Sequence, residues 1–158
     1  MTNFLVLGLG NLLMNDDAAG LKTIYALREC YQERPDMQLL DGGTLGLDLL
    51  TYVEWADKLL LIDAIDLGIA PGSVVLLEGD DIDPVLESKV SPHQLGLSDL
   101  LAAAELMGNR PAEVTLLGIQ YASINMEMTL SPAVAGGLAK LTAEAAQRID
   151  NHLQNEQL

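Results

Sequence analysis

KLLLIDAI, Lys58–Ile65, decides the fold. A strand with one wet face alternates apolar and polar residues, whereas this run is almost continuously apolar. Such a strand is covered on both faces, which is the habit of a parallel sheet sandwiched between helix layers. Outward from it, strand-length apolar runs alternate with amphipathic stretches. FLVLGLG (4–10) and MQLLDGG (37–43) precede it, and SVVLLEG (73–79) and EVTLLGIQY (113–121) follow. Helical patterns fall on DDAAGLKTIYALRECY (16–31), LGLDLLTYVEWA (45–56), SPHQLGLSDLLAAAELMG (91–108) and the closing segment 130–153. Ser-Pro opens each of the last two, and Gly108 stops the first of them.

This β-α-β-α-β order predicts an α/β three-layer sandwich: a five-stranded, mostly parallel twisted sheet with helices on both faces. The loop DLGIAPG (66–72) is too short for a crossover helix, so the fourth strand is expected as the antiparallel edge strand. The 158 residues, 49% of them hydrophobic, suit one domain over residues 1–158 with a single good-sized core. Neither a repeat nor a long linker divides them.

The formal charge of −15, from 23 acidic and 8 basic residues, disfavours nucleic acid and anionic membrane as partners. The apolar run of MTNFLVLGLGN is too short for a signal peptide or a membrane span, so a cytoplasmic protein without membrane insertion is expected. The single cysteine, Cys30, rules out an internal disulfide, and no His or Lys sits beside it in RECYQER to activate it.

Ligands of open α/β sheets bind at the carboxyl ends of the strands, near a topological switch point. GLGNLLMNDDAAG there admits a Rossmann-like nucleotide loop through Gly8 and Gly10, with Asp41 as the ribose contact. Leu13 takes the third glycine's place, however, and Asp16 and Asp17 stand where a pyrophosphate would sit, with no cation before Lys22. Helix capping accounts for one of these aspartates and leaves the second spare. Asp41 and Asp63 each have two readings: a carboxylate closing a turn, or one aimed into the cleft. His93 is either a helix-entry residue or, with Asp17 and Asp63, one of three ligands for a borderline divalent ion such as Zn²⁺, Ni²⁺, Mn²⁺ or Cd²⁺. His152, in a polar tail, is expected to be solvated. G-x-S-x-G and H-E-x-x-H are both absent, which argues against a serine hydrolase and a zinc protease of the usual kind.

These segments together resemble the hydrogenase maturation proteases: LGLGNLLMNDDAAG, LLDGGTLGLDLL, LLLIDAI, the PG before the fourth strand, SPHQLGLSDLL, LLGIQ and LSPAV, in order and at the right spacing. The resemblance implies an endopeptidase that removes a C-terminal peptide from the precursor of a nickel–iron hydrogenase large subunit after nickel insertion. It implies that Asp17, Asp63 and His93 contact the nickel held by that substrate, a site that Zn or Cd also suits. The family usually carries Glu or Asp at the position of Asp17, so this chain has the shorter arm. Asp41, in DGGT, is implicated in activity. The SPHQLGL form looks most like members serving membrane-bound uptake hydrogenases, and a monomer is expected. Two rival readings are a nickel chaperone without proteolysis, using the same three residues, and the nucleotide-binding enzyme.

Overall fold

The computed structural model describes residues 2–43, 49–87 and 97–155. Five strands form one sheet: β1 (Phe4–Gly8), β2 (Met37–Asp41), β3 (Lys58–Ile65), β4 (Val74–Glu78) and β5 (Glu113–Gln120). Their spatial order is β2-β1-β3-β5-β4. All neighbours are parallel except β4, which runs antiparallel to β5 at the edge. The edge strand falls where the short loop predicts it, and β5 inserts between β3 and β4.

Each strand sends alternate side chains to opposite faces, and β1 shows the consequence. Phe4 and Val6 pack with Ile24 and Leu27 of α1 (Ala19–Cys30) and with Leu141, Ala145 and Ile149 of α5 (Pro132–Asn155). Leu5 and Leu7 face the other way. They meet Val53 of α2 (Leu49–Trp55), Ile82 and Val85 of α3 (Ile82–Glu87), and Leu100 and Leu101 of α4 (Leu97–Leu106). Two apolar layers thus flank the sheet, and β3 contributes to both through Leu60 and Ile62 on one side and Leu59 and Leu61 on the other. Its unbroken apolar run has this cause.

Three local expectations need correction. Asp16 and Asp17 do not open α1. They lie in a separate 3-10 turn, Asn15–Ala18, and α1 starts at Ala19 without a side-chain cap. The short α3 was not expected; Ile82, Val85 and Leu86 recur at helical spacing and bury one face on the α2–α4 side. His152 is not solvated. It is 1% exposed, its ring stacks at 4.9 Å on Phe4, and its Nε2 lies 3.1 Å from Asp36 Oδ2. The polar sequence around it misleads because α5 turns that one face onto the sheet. Gly108 does stop α4, with a positive φ of 76° and the Asn109 N–H donating to the Ala104 carbonyl.

Candidate active site at the switch point

The chain leaves β1 for β2 on one side and then returns to β3 on the other. The crevice between the carboxyl ends of β1 and β3 is therefore the topological switch point, where open sheets bind ligands. Two of the sequence-derived site residues frame it.

Asp63 does not close a turn. It lies inside β3, paired in register with Gly118 of β5. On the β1 side, pairing ends one residue earlier, at Gly8 with Ile62. Asp63 is thus the first β3 residue beyond the end of β1. It is 2% exposed and shares a face with Leu61 and Ile65, on the side covered by α2 and α4.

Asp17 lies in a tightly wound turn whose backbone packs on the end of β3. The Leu9 N–H donates to the Ile62 carbonyl, and the Asn11 N–H to the Asp17 carbonyl. The chain folds back so closely at Gly10 that a Cβ there would lie 1.8 Å from the Asp17 carbonyl oxygen, and the φ of 127° excludes ordinary side chains as well. Gly20, at the start of α1, abuts the Ile62 and Leu9 carbonyls, where a Cβ would lie 2.3 and 2.5 Å from them. Gly8 and Gly10, read as a nucleotide loop, are therefore taken up by packing within the protein, Gly8 against the Gly20 carbonyl and Ile24 and Gly10 against the Asp17 carbonyl. Leu13, in the third glycine's place, is exposed.

Asp41 ends β2 in register with Gly8, two strand spacings or about 10 Å from Ile62. Its strand neighbours Met37 and Leu39 face α1 and α5, and so does it. Its Oδ2 accepts from the Tyr25 hydroxyl at 2.5 Å and its Oδ1 from the Gly43 N–H at 2.9 Å. The hydrogen bond to Asp41, burial and the Asp41 charge, outweighing nearby Arg28, push the Tyr25 hydroxyl pKa up. The turn that carries Asp17 follows β1 and Asp63 lies in β3, so the backbone of both borders the switch point, and Asp41 faces the opposite side of the sheet from Asp63. His93 lies outside the described residues. Among the described residues no group of three His, Cys, Asp or Glu side chains is placed to hold a metal ion. Two carboxylates supply hard oxygen donors and leave any cation between them under-coordinated by the protein.

Sequence reasoning missed Asp16, although the Asp-Asp pair was its signal. Asp16 is fully buried. Its Oδ2 accepts from the Ala122 N–H, the Ser123 N–H and the Ser131 hydroxyl at 2.9, 3.1 and 2.8 Å, and its Oδ1 from the Ser131 N–H at 2.7 Å. Burial pushes this carboxyl up, but the hydrogen bonds from Ser131, Ala122 and Ser123 outweigh it and hold the pKa below the ordinary value. Ser131 Oγ also accepts from the Val134 N–H, so it caps α5 as expected of the Ser-Pro signal. One buried carboxylate therefore joins the turn after β1 to the loop after β5 and to the start of α5. Asn15 adds its own bonds: its backbone N–H donates to the Glu127 carbonyl, its Nδ2 to the Thr129 carbonyl, and its Oδ1 accepts from the Ser123 hydroxyl. A second link lies at β5, where Gln120 Nε2 donates to Asp66 Oδ1 and Gln120 Oε1 accepts from the Leu67 N–H.

Comparison with known proteins agrees with this architecture. The model of the hydrogenase maturation protease family (HycI) matches residues 21–148, a span that includes Asp41, Asp63 and His93 and begins after Asp17. The hydrogenase expression/formation protein HupD of Rhodobacter capsulatus is 39% identical over 147 residues, covering 92% of this chain and 70% of the relative. The hydrogenase 2 maturation protease of Escherichia coli K12 is 38% identical over 131 residues, covering 82% of this chain and 80% of its own. Among solved structures, the hydrogenase maturating endopeptidase HybD from E. coli superposes with a TM-score of 0.84 at 35% identity, covering 94% of each chain. This chain belongs to the hydrogenase maturation protease family and is a peptidase, a hydrolase of hydrogenase maturation.

Proposed function

We propose that this protease removes the C-terminal extension of a nickel–iron hydrogenase large-subunit precursor in the cytoplasm, and that it does so after inspecting nickel already bound by that substrate. The observation that carries this reading is that β3, which holds Asp63, and the turn that holds Asp17 border the switch-point crevice of an acidic chain. A site of two carboxylates plus His93 holds a free ion loosely. The same donors complete the shell of a nickel ion that the substrate's thiolates already grip. Cleavage then becomes conditional on the metal.

The reaction adds water across one peptide bond. Hydroxide joins the carbonyl carbon, the proton goes to the departing amine, and the charge developing on the carbonyl oxygen needs a positive neighbour. Substrate nickel beside the scissile bond supplies Lewis acidity. In this reading Asp17 and Asp63 would contact it, and a carboxylate would take a proton from the attacking water. Asp41 serves as a positioning residue: both its oxygens are engaged, by Tyr25 and by the Gly43 turn.

The test is a mass measurement on the precursor incubated with the protease, nickel-loaded in one tube and nickel-free in the other. Loss of a C-terminal peptide only with nickel is the expected result. Asp63→Ala and His93→Ala are expected to abolish it while the variants stay folded. Cleavage in both tubes overturns the nickel checkpoint. No cleavage, with nickel retained stoichiometrically by the protein alone, favours the chaperone reading. Normal processing by both variants overturns the site.

A further inference from the structure

Eleven large hydrophobic side chains are exposed among the described residues, and seven of them lie at the carboxyl edge of the sheet. Two follow β1 (Leu12 and Leu13), two follow β3, and three follow β5 (Ile124, Met126 and Met128). Exposed apolar residues scattered singly need no explanation, but a concentration at one edge does. Met126 and Met128 are 85% and 72% exposed.

The segment that carries them is not a loose excursion. It leaves β5 and passes the end of β3. It is then fastened to the turn after β1 by the buried Asp16 carboxylate, by the Asp16 N–H to the Ser123 carbonyl, and by the Asn15 N–H to the Glu127 carbonyl at 2.7 Å. Asn15 and Asp16 immediately precede Asp17 in the same turn. The apolar tip is therefore held in fixed register with one wall of the crevice. Such exposure contributes nothing to folding, and a chain of net charge −15 has charged residues in plenty for its surface. Methionine is the side chain best suited to an apolar surface that must adapt to a partner.

We infer that Leu12, Leu13, Ile124, Met126 and Met128 form a docking lip for an apolar segment of the precursor that adjoins the bond to be cut. The inference rests on the proposed function, which puts a protein chain in the crevice. The hydrogen bonds made by Asn15 and Asp16 hold the lip beside the turn that carries Asp17, so a polypeptide whose scissile bond sits at that turn passes close to it.

The experiment compares two double variants in binding of the nickel-loaded precursor by surface plasmon resonance and in steady-state cleavage. Met126→Ser with Met128→Ser strips the lip. Leu106→Ser with Met107→Ser strips an equally exposed pair at the end of α4, which leads into the amino end of β5 at the opposite edge. The lip variant is expected to raise Kd and KM at least tenfold with kcat within twofold, and the control to leave all three unchanged. Wild-type Kd and KM in the lip variant, or equal weakening in both, overturns the lip and leaves the proposed function standing. A wild-type protein that neither binds nor cuts the precursor overturns the proposed function and the lip with it.

Discussion

Asp16→Asn tests the buried carboxylate with the loss of one charge and almost no change of shape. In the wild type, Oδ2 accepts three hydrogen bonds and Oδ1 one. The single amide oxygen of asparagine takes the Oδ2 place and keeps the three. The amide nitrogen then faces the Ser131 N–H, donor against donor, and an unsatisfied buried donor costs about 1–3 kcal/mol. The three surviving bonds drop from charged to neutral strength, while relief from burying a charge returns part of the loss. The net expectation is about 3 kcal/mol, which for a chain of this size lowers Tm by roughly 6–12 °C. The pH dependence follows from the lowered native pKa. The contribution is complete above the ordinary carboxyl value of 3.8 and is lost as pH falls through the lower native value. Thermal melts at pH 7 and at successively lower pH should therefore show a gap between wild type and variant that narrows in acid. A gap under 2 °C at pH 7, or one that widens in acid, would refute the assignment of Asp16 as an ionised joint between the two loops.

Two further substitutions separate placement of the site from stability of the fold. Gly10→Ala forces a Cβ to within 1.8 Å of the Asp17 carbonyl oxygen at a φ that only glycine adopts freely. At about 1–3 kcal/mol of strain, processing should fall at least tenfold while far-UV circular dichroism stays native. Wild-type processing by this variant would show that the position of Asp17 is not critical. At the opposite edge, His152→Ala removes the ring that contacts the Asp36 carboxylate, leaving it 2% exposed as a side chain with Arg34 Nε at 3.2 Å. Burial pushes the Asp36 carboxyl up, and the bond from His152 with the charges of Arg34 and His152 brings it below its ordinary value. With Arg34 still beside the carboxylate, losing this buried hydrogen bond costs about 1–3 kcal/mol. Urea unfolding should report that loss and cleavage should stay normal at low temperature; a loss under 1 kcal/mol would contradict the buried pairing.

The sheet was legible because its determinants are local and repetitive. KLLLIDAI announces a strand covered on both faces, DLGIAPG is too short for a helical crossover, and Ser131 and Gly108 mark helix ends by backbone chemistry that depends only on neighbours. Order along the chain and handedness then place the ends of β1 and β3 side by side. From that alone Asp17 and Asp63 belong at one crevice. What each polar side chain does there depends on partners far away in sequence, which no periodicity reports. Asp16 and Asp17 are adjacent and identical in type. Asp16 is buried because the chain after β5, more than a hundred residues later, presents it with four donors, whereas Asp17 beside it is only half-buried. Asp41 and Asp63 both lie near carboxyl ends of strands, but strand alternation sends them to opposite faces. His152 sits in a polar run, yet the turn of α5 carries it onto Phe4 and Asp36. Sequence alone determined the sheet, its helix layers and the edge where chemistry belongs; tertiary packing decided which carboxylate is buried as a joint between loops and which face of the sheet each of the others takes, because only distant donors and strand register settle that.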